Sequence, residues 1–515
     1  MKIIFYILLF TFSCVDILSA QVVESILLND SRGAKTDLVI RGGSLKATAP
    51  GFSLLPIEMG IILNTKKSWG PNLGPIWAGK GFTNSYTGGV RFYSKYLDVQ
   101  IRPIFYSSQN KDFYTPEDDN RFTGLDSTKY IESRQWIDVP YRLNEGAFSR
   151  LLGGESWVKV HFKGFSGGLS TENLWWGPSK RSSIMMSSNA PGFLHASFET
   201  QKPLNLYLFD LETQIAAGLL QPSYGLRGDE AEYNVIFNGI ILSVSPRFDK
   251  NIKLGLIRSF VLNDTDISDQ TGYFPLFQPF LKKNLKLRPD GTPNDPDDQR
   301  ASIFLSWHFP LVKFHIYGEY ARDDHNVDLQ DLYQEINHIR AYTLGFQKRW
   351  NNKIGAWSLT GELTQLQTTN TKVVRGYQSW YTHSRVRRGY TNRGEYLGSH
   401  YGHGGNGWYM GLYNTKDQFS FGLYLERVAR DKDLYQLIRE SRRPAQPEIE
   451  SVLGLVSWYK GKHIDLGLEF NFVHISDRYY VGIRPEEGMD RQPYNLNNVN
   501  VQFTVSYKPD LRWKW

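Results

Sequence analysis

Cysteine is nearly missing from this chain: of 515 residues only Cys14 carries a thiol. Everything beyond the first twenty residues therefore lacks disulfide and thiolate chemistry. Acylation of Cys14 as a lipoprotein anchor is opposed by the apolar residues that follow it, where a polar tether should begin. Long apolar runs are missing as well. Past the N-terminus no stretch approaches the ~18 residues that a membrane-spanning helix needs. With hydrophobic residues at 41% and mean hydropathy at −0.42, a helical membrane protein is excluded. Charge of one sign is scarce too: 59 Lys and Arg face 52 Asp and Glu. The net +7 gives no footprint for nucleic acid. Aromatic residues are plentiful, at 14%, with 30 Tyr, 30 Phe and 14 Trp. Aromatic girdles at two bilayer interfaces around a polar lumen produce that combination. A secreted sandwich or propeller whose aromatics stack on carbohydrate would produce it too.

The N-terminus points to export. Lys2 precedes an apolar stretch over 3–12, and Leu18-Ser19-Ala20 precedes Gln21. A charged start, a short hydrophobic stretch and a small residue predict a signal peptide over 1–20, cleaved near Ala20.

Strand periodicity separates the remaining classes. From Val499 onward the odd positions read Val499, Val501, Phe503, Val505, Tyr507, Pro509, Leu511, Trp513 and Trp515, and the even ones are polar. Period two places the sets on opposite faces, and an aromatic at the end of the chain is how outer-membrane barrels close. Phe419, Phe421, Leu423 and Leu425 alternate in the same way, as do Ile464, Leu466, Leu468, Phe470 and Phe472. Connections then alternate in length. Those at 460–462, 415–418, 351–354, 309–311, 246–251 and 163–165 are tight. Those at 475–497, 430–450, 367–406, 322–338, 262–300, 214–234, 172–192 and 107–155 are long. In a barrel the tight turns face the periplasm and the long loops face outward. The sequence thus predicts an all-β, transmembrane antiparallel barrel of about eighteen strands in the bacterial outer membrane. The barrel proper is assigned to 87–515. Residues 21–86, rich in Gly and Pro, hold the first strand and have a small periplasmic plug as one reading.

One segment carries family information. Glu172-Asn173-Leu174-Trp175-Trp176-Gly177-Pro178 is followed by Ser187-Ser188-Asn189-Ala190-Pro191-Gly192-Phe193-Leu194-His195. This resembles the capsule-assembly Wzi family, with its E-N-x-W-W-G-P and S-x-N-A-P-G-F-x-H stretches, and residues 69–89 around Trp77 look like the family's N-terminal part. The resemblance implies an eighteen-strand outer-membrane barrel that binds capsular polysaccharide and anchors it at the cell surface. It also implies a helical periplasmic plug, although residues 21–68 show no clear amphipathic helix.

Two regions offer candidate ligand groups. In the family segment, Trp175 and Trp176 can stack on sugar rings, and Glu172, Asn173, Arg181, Asn189 and His195 can hydrogen-bond hydroxyls or carboxylates. The competing reading is a loop folded into the lumen, where the same groups satisfy one another. The 367–406 loop interleaves Arg375, Arg385, Arg387, Arg388 and Arg393 with Tyr377, Trp380, Tyr381 and Tyr390, against the single acid Glu395. Guanidinium groups there can hold an acidic polysaccharide while aromatics stack on its rings. A solvated loop pairing with lipopolysaccharide phosphates is the alternative.

Enzyme and metal motifs are thin. His383, His400 and His403 lack a ligand spacing such as H-E-x-x-H, and Asp295, Asp297 and Asp298 read as an acidic surface turn rather than a calcium loop. Neither catalysis nor a cofactor is expected. The expected partners are capsular or exopolysaccharide, outer-membrane lipids and lipopolysaccharide, and the barrel-assembly machinery, with no nucleic acid. Two functions stay open: a surface lectin that anchors polysaccharide, and a porin-like diffusion channel with a wet lumen.

Overall fold

The computed structural model describes residues 39–41, 50–115, 137–224, 233–265, 297–323, 339–368, 379–440, 446–478, 495–509 and 512–514. The expected signal peptide over 1–20, Cys14 and Arg375 lie outside them. Within them the chain is a closed antiparallel barrel of eighteen strands in sequence order. The first two are Gly51–Asn64 and Gly81–Tyr93, so the boundary drawn at 87 falls inside a strand. Closure sets the first strand against Leu496–Tyr507, with Ile57 opposite Tyr507 and Asn64 opposite Asn500.

Alternation works inside out relative to a water-soluble protein. In Leu496–Tyr507 the buried side chains are Asn498, Asn500, Gln502, Thr504 and Ser506, while Val499, Val501, Phe503 and Val505 face outward, part-exposed. In Phe419–Ala429, Phe419, Phe421, Leu423 and Leu425 are exposed and Glu426 is buried. An apolar outer face is stable only against lipid, and in a closed barrel the strands ladder to neighbours on both sides. Tight turns sit on one rim. At 163–164 both Lys163 (φ 48°) and Gly164 (φ 90°) are left-handed, the two-residue turn whose twist matches that of its strands. The strand ends that the long connections join lie on the opposite rim. With Cys14 the sole native cysteine, orientation is directly testable. A membrane-impermeant maleimide should label Glu145→Cys, exposed on the long-loop side, on intact cells. It should leave Leu311→Cys, fully exposed on the tight-turn side, unlabelled until the outer membrane is permeabilised. The reverse pattern inverts the topology.

The structure departs from the sequence reading in four places. The last strand is not continuous to the C-terminus: it stops at Tyr507 and resumes as Arg512–Lys514 against Gly51–Ser53. Five steps from Tyr507 to Arg512 oppose four from Ile57 to Ser53, which is a bulge around Pro509. The connection after Ala429 carries a helix, Lys432–Glu440. Asp297 and Asp298 are buried, not a surface turn, and Asp298 pairs with Arg300 at 2.7 Å. Finally, the 367–406 loop is not a solvated surface loop over its described part. Residues 379–405 fold into the barrel, where Trp380, Tyr381 and Tyr390 are fully buried.

That infolded loop and residues 171–194 together make the molecule's largest core. Trp176, Ile184, Met185, Met186, Trp380 and Tyr381 pack on wall residues Phe237, Ile241, Ile257 and Ala341. The N-terminal contribution among the described residues is the short strand Ile40–Arg41, antiparallel to Trp175–Trp176. Wall and filling touch closely. A Cβ on Gly239 would lie 2.8 Å from the Trp176 ring, so only glycine lets the indole in.

Candidate functional site

The family segment is gripped by the wall through two carboxylates. Glu426 takes Arg181 in a two-pronged pair, Nε at 3.0 Å and Nη2 at 2.5 Å, and accepts from Tyr401 and pairs with His400 as well. The guanidinium lies 5.2 Å from both the Tyr409 and Tyr424 ring centres. Glu362 accepts backbone N–H groups of Lys180 and Ser182 at 2.8 and 2.7 Å and the Tyr317 hydroxyl at 2.8 Å. Planar guanidinium and carboxylate match each other's geometry, so such a pair fixes orientation as well as distance.

The other candidates of that segment are occupied in the same way. Glu172 pairs with the buried Lys159 at 2.5 Å, and Lys159 also reaches Glu199 at 3.0 Å. Asn173 donates to the Ala190 carbonyl at 2.7 Å and accepts from the Gly192 N–H at 3.1 Å. Trp175 donates to the Ser179 carbonyl and Trp176 to Gln214. Asn189 donates to the Tyr396 carbonyl, and His195 Nδ1 meets the Phe193 carbonyl. These residues build the lumen filling.

The 379–405 loop locks onto the same segment. Tyr381 donates to the Ile184 carbonyl at 2.6 Å, Ser187 N–H to the Leu397 carbonyl at 2.8 Å, and Asn392 to the Pro191 carbonyl at 2.9 Å. Arg300 of the wall, paired with Asp298 and Asp323, lies 4.4 Å from the Tyr390 ring centre. Two regions that look independent in the sequence thus form one body. Of the loop's candidate residues, Trp380 is buried beside Tyr381, and Arg388 is buried and donates to the Leu220 carbonyl. Arg385 is half-buried and Arg387 exposed. His400 and His403 turn to different acids, Glu426 and Asp431. Burial lowers the His400 pKa against the raising effect of Glu426. Asp433, which accepts from Ser379 and Thr368, is pushed up to about 6 by burial.

Above this body, on the long-loop side, two cavities adjoin and share Trp77 and Glu395. One, of about 240 Å³, is bounded by Trp77, Tyr106, Arg150, Tyr224, Arg393 and Glu395, among others. The other, of about 160 Å³, is bounded by Lys67, Trp69, Tyr396, His400 and Arg430, among others. The second is internally balanced, since Glu450 receives Lys67, Arg430 and the Trp69 indole. Arg150 and Tyr224 carry no signal in the sequence, for Arg150 lies on the short strand Phe148–Leu152 and Tyr224 in the connection after Phe209–Leu220. The Asn392-Arg393-Gly394-Glu395 run does carry one, a two-residue hairpin turn between strands Thr391–Asn392 and Glu395–Tyr396.

Fold and lumen together define an outer-membrane β-barrel whose own loops occupy its interior beneath cavities on the long-loop side. The chain belongs to the capsule assembly protein Wzi family, whose profile matches residues 79–469. Among solved structures it is similar to Wzi of Escherichia coli, described as an outer membrane protein involved in group 1 capsule assembly and a carbohydrate-binding β-barrel. That pair shares 12% identity with a TM-score of 0.59 over 89% of this chain and 85% of the other. OccAB3 of Acinetobacter baumannii shares 12% identity, TM-score 0.43, over 88% and 99% of the respective chains. OccK2 of Pseudomonas aeruginosa shares 8%, TM-score 0.42, over 89% and 96%. No curated protein matches by sequence comparison.

Proposed function

We propose that this protein is a surface lectin that binds capsular or exopolysaccharide at its long-loop mouth and anchors it during capsule assembly. The observation that carries the reading is the pair of adjoining cavities sharing Trp77 and Glu395. Their aromatic rings suit sugar faces, and their cationic groups suit hydroxyls and carboxylates. The lumen beneath holds a packed apolar core, an arrangement suited to binding rather than to diffusion. The carbohydrate-binding E. coli relative agrees with this assignment.

A glycan array on detergent-purified protein, run beside conductance in planar bilayers, tests it. One glycan class should bind, and large stable conductance steps should be missing. Trp77→Ala should weaken that binding roughly tenfold, as expected for one stacking ring, at normal folded yield. Large steps with no glycan retained would make the protein a channel.

A further inference from the structure

We propose that the larger cavity is a subsite for one anionic sugar ring, a hexuronate whose carboxylate is held between Arg150 and Arg393. The inference rests on the lectin reading and names the chemistry of its ligand.

Charge comes first. Arg150 and Arg393 both line the cavity, and burial, with Arg150 adding to it, disfavours the charge on Arg393. Among the described residues neither guanidinium has a salt-bridge partner. Arg150 donates one bond to the Ser149 carbonyl and lies 3.8 Å from the Tyr224 ring centre, yet its buried Nη2 meets no acceptor among those residues. The Trp77 indole N–H, on the same cavity, is likewise buried with no acceptor among them. Buried donors are nearly always satisfied. Two like charges and an indole N–H converging on one space describe a site for an acceptor-rich anion.

The backbone supports this. Arg393 (φ 53°) and Gly394 (φ 85°) form the left-handed tip of the hairpin. Such a position favours glycine or asparagine, and a long cationic side chain there is held at a cost in strain. The tip is clamped: Arg393 N–H donates to the Gln221 carbonyl, Asn392 accepts from Gln221 N–H, and Asn392 donates to the Pro191 carbonyl. The guanidinium is therefore presented from a fixed base, which limits the entropy lost on binding.

Size and polarity narrow the ligand. At about 240 Å³ the cavity is below the roughly 300–1,000 Å³ of sites for drug-sized ligands, which suits one ring of a longer chain. Burial pushes the Glu395 carboxyl well above the usual carboxylate range, which lessens its repulsion of a bound carboxylate. Bidentate geometry suits carboxylate and phosphate alike, so the two sources are separated by experiment.

The test uses the full-length barrel in detergent, titrated with oligogalacturonate, with the matching neutral oligogalactose and with galactose 6-phosphate, followed by tryptophan fluorescence. Oligogalacturonate should bind at least tenfold more tightly than either other probe. Arg150→Gln and Arg393→Gly should each reduce that preference at least fivefold, and the pair should abolish it. Arg393→Gly relieves the strained backbone, so loss of binding with full heat-modifiable yield cannot be laid to misfolding. Equal affinity for acidic and neutral oligomers, or a preference that survives both substitutions, overturns the subsite and leaves the lectin reading standing. Preference for the phosphate overturns the uronate assignment. No binding of any glycan overturns both readings.

Discussion

Glu426→Ala should give a barrel that opens intermittently. The substitution leaves Arg181 charged and buried between Tyr409 and Tyr424 and removes a partner from His400 and Tyr401. Stripping one member from a buried ion pair costs about 3–5 kcal/mol, which falls on docking of the 171–195 segment rather than on the backbone ladder of the wall. In planar bilayers the variant should show intermittent openings that the parent lacks, while electrophoretic mobility before and after heating reports an intact barrel. The double variant Arg181→Met with Glu426→Leu removes both charges and fills the space with apolar side chains, an exchange that is often neutral or stabilising. It should be as quiet as the parent. A single variant as quiet as the parent, or a double variant as open as the single, removes the pair from its proposed role as latch.

Much of the wall was readable because membrane strands keep one apolar and one polar face. Phe419–Ala429 and Ile464–Ser476 show this plainly, and the tight turn beside each is only a few residues long. Gly51–Asn64 was harder. Leu54, Leu55, Ile57, Ile61, Ile62 and Leu63 fall on both parities, Pro56 interrupts the run, and the pairing shifts between Leu55 and Glu58. A bulge moves later residues to the other face, so alternation cannot be counted through it. The same limit applies at Pro509, where a count from Tyr507 does not carry over to Trp513.

The filling of the lumen was legible only in part. Arginine and tyrosine in 379–405 have the composition of a solvated binding loop, and the acids that hold the loop at Tyr381, Tyr401, His403 and Ser379, namely Asp323, Glu426, Asp431 and Asp433, lie elsewhere in the sequence. Only folding brings such pairs together. One sign was nevertheless present: Val235–Pro246 carries apolar residues on both faces, and its inward set includes Val235, Phe237 and Ile241. A strand lining water would put polar groups there. The cavity residues were less visible still, since Trp77, Arg150, Tyr224 and Arg393 come from four separate stretches of chain.

Removing residues 513–515 should abolish assembly in cells while leaving the barrel able to fold in vitro. The seam offers two kinds of contact. Eight residue pairs, from Ile57 with Tyr507 to Asn64 with Asn500, close the barrel. Asn64 adds side-chain bonds with Asn498 and Asn500 at 3.1 and 3.0 Å. The deletion spares all of these and takes only the pairings of Phe52 and Gly51 with Trp513 and Lys514. On stability alone the loss is therefore modest, a short frayed end at the tight-turn rim. If the terminal aromatic is what the insertion machinery recognises before the seam exists, the loss in cells is complete. Outer-membrane fractions should then hold no heat-modifiable protein, while denatured material diluted into detergent should still yield the folded form. Trp515→Phe, which keeps an aromatic terminus, should assemble normally. Normal assembly of the deletion would show that the eight-pair seam suffices. Failure in detergent as well would place the short strand Arg512–Lys514 among the contacts on which the barrel's stability depends.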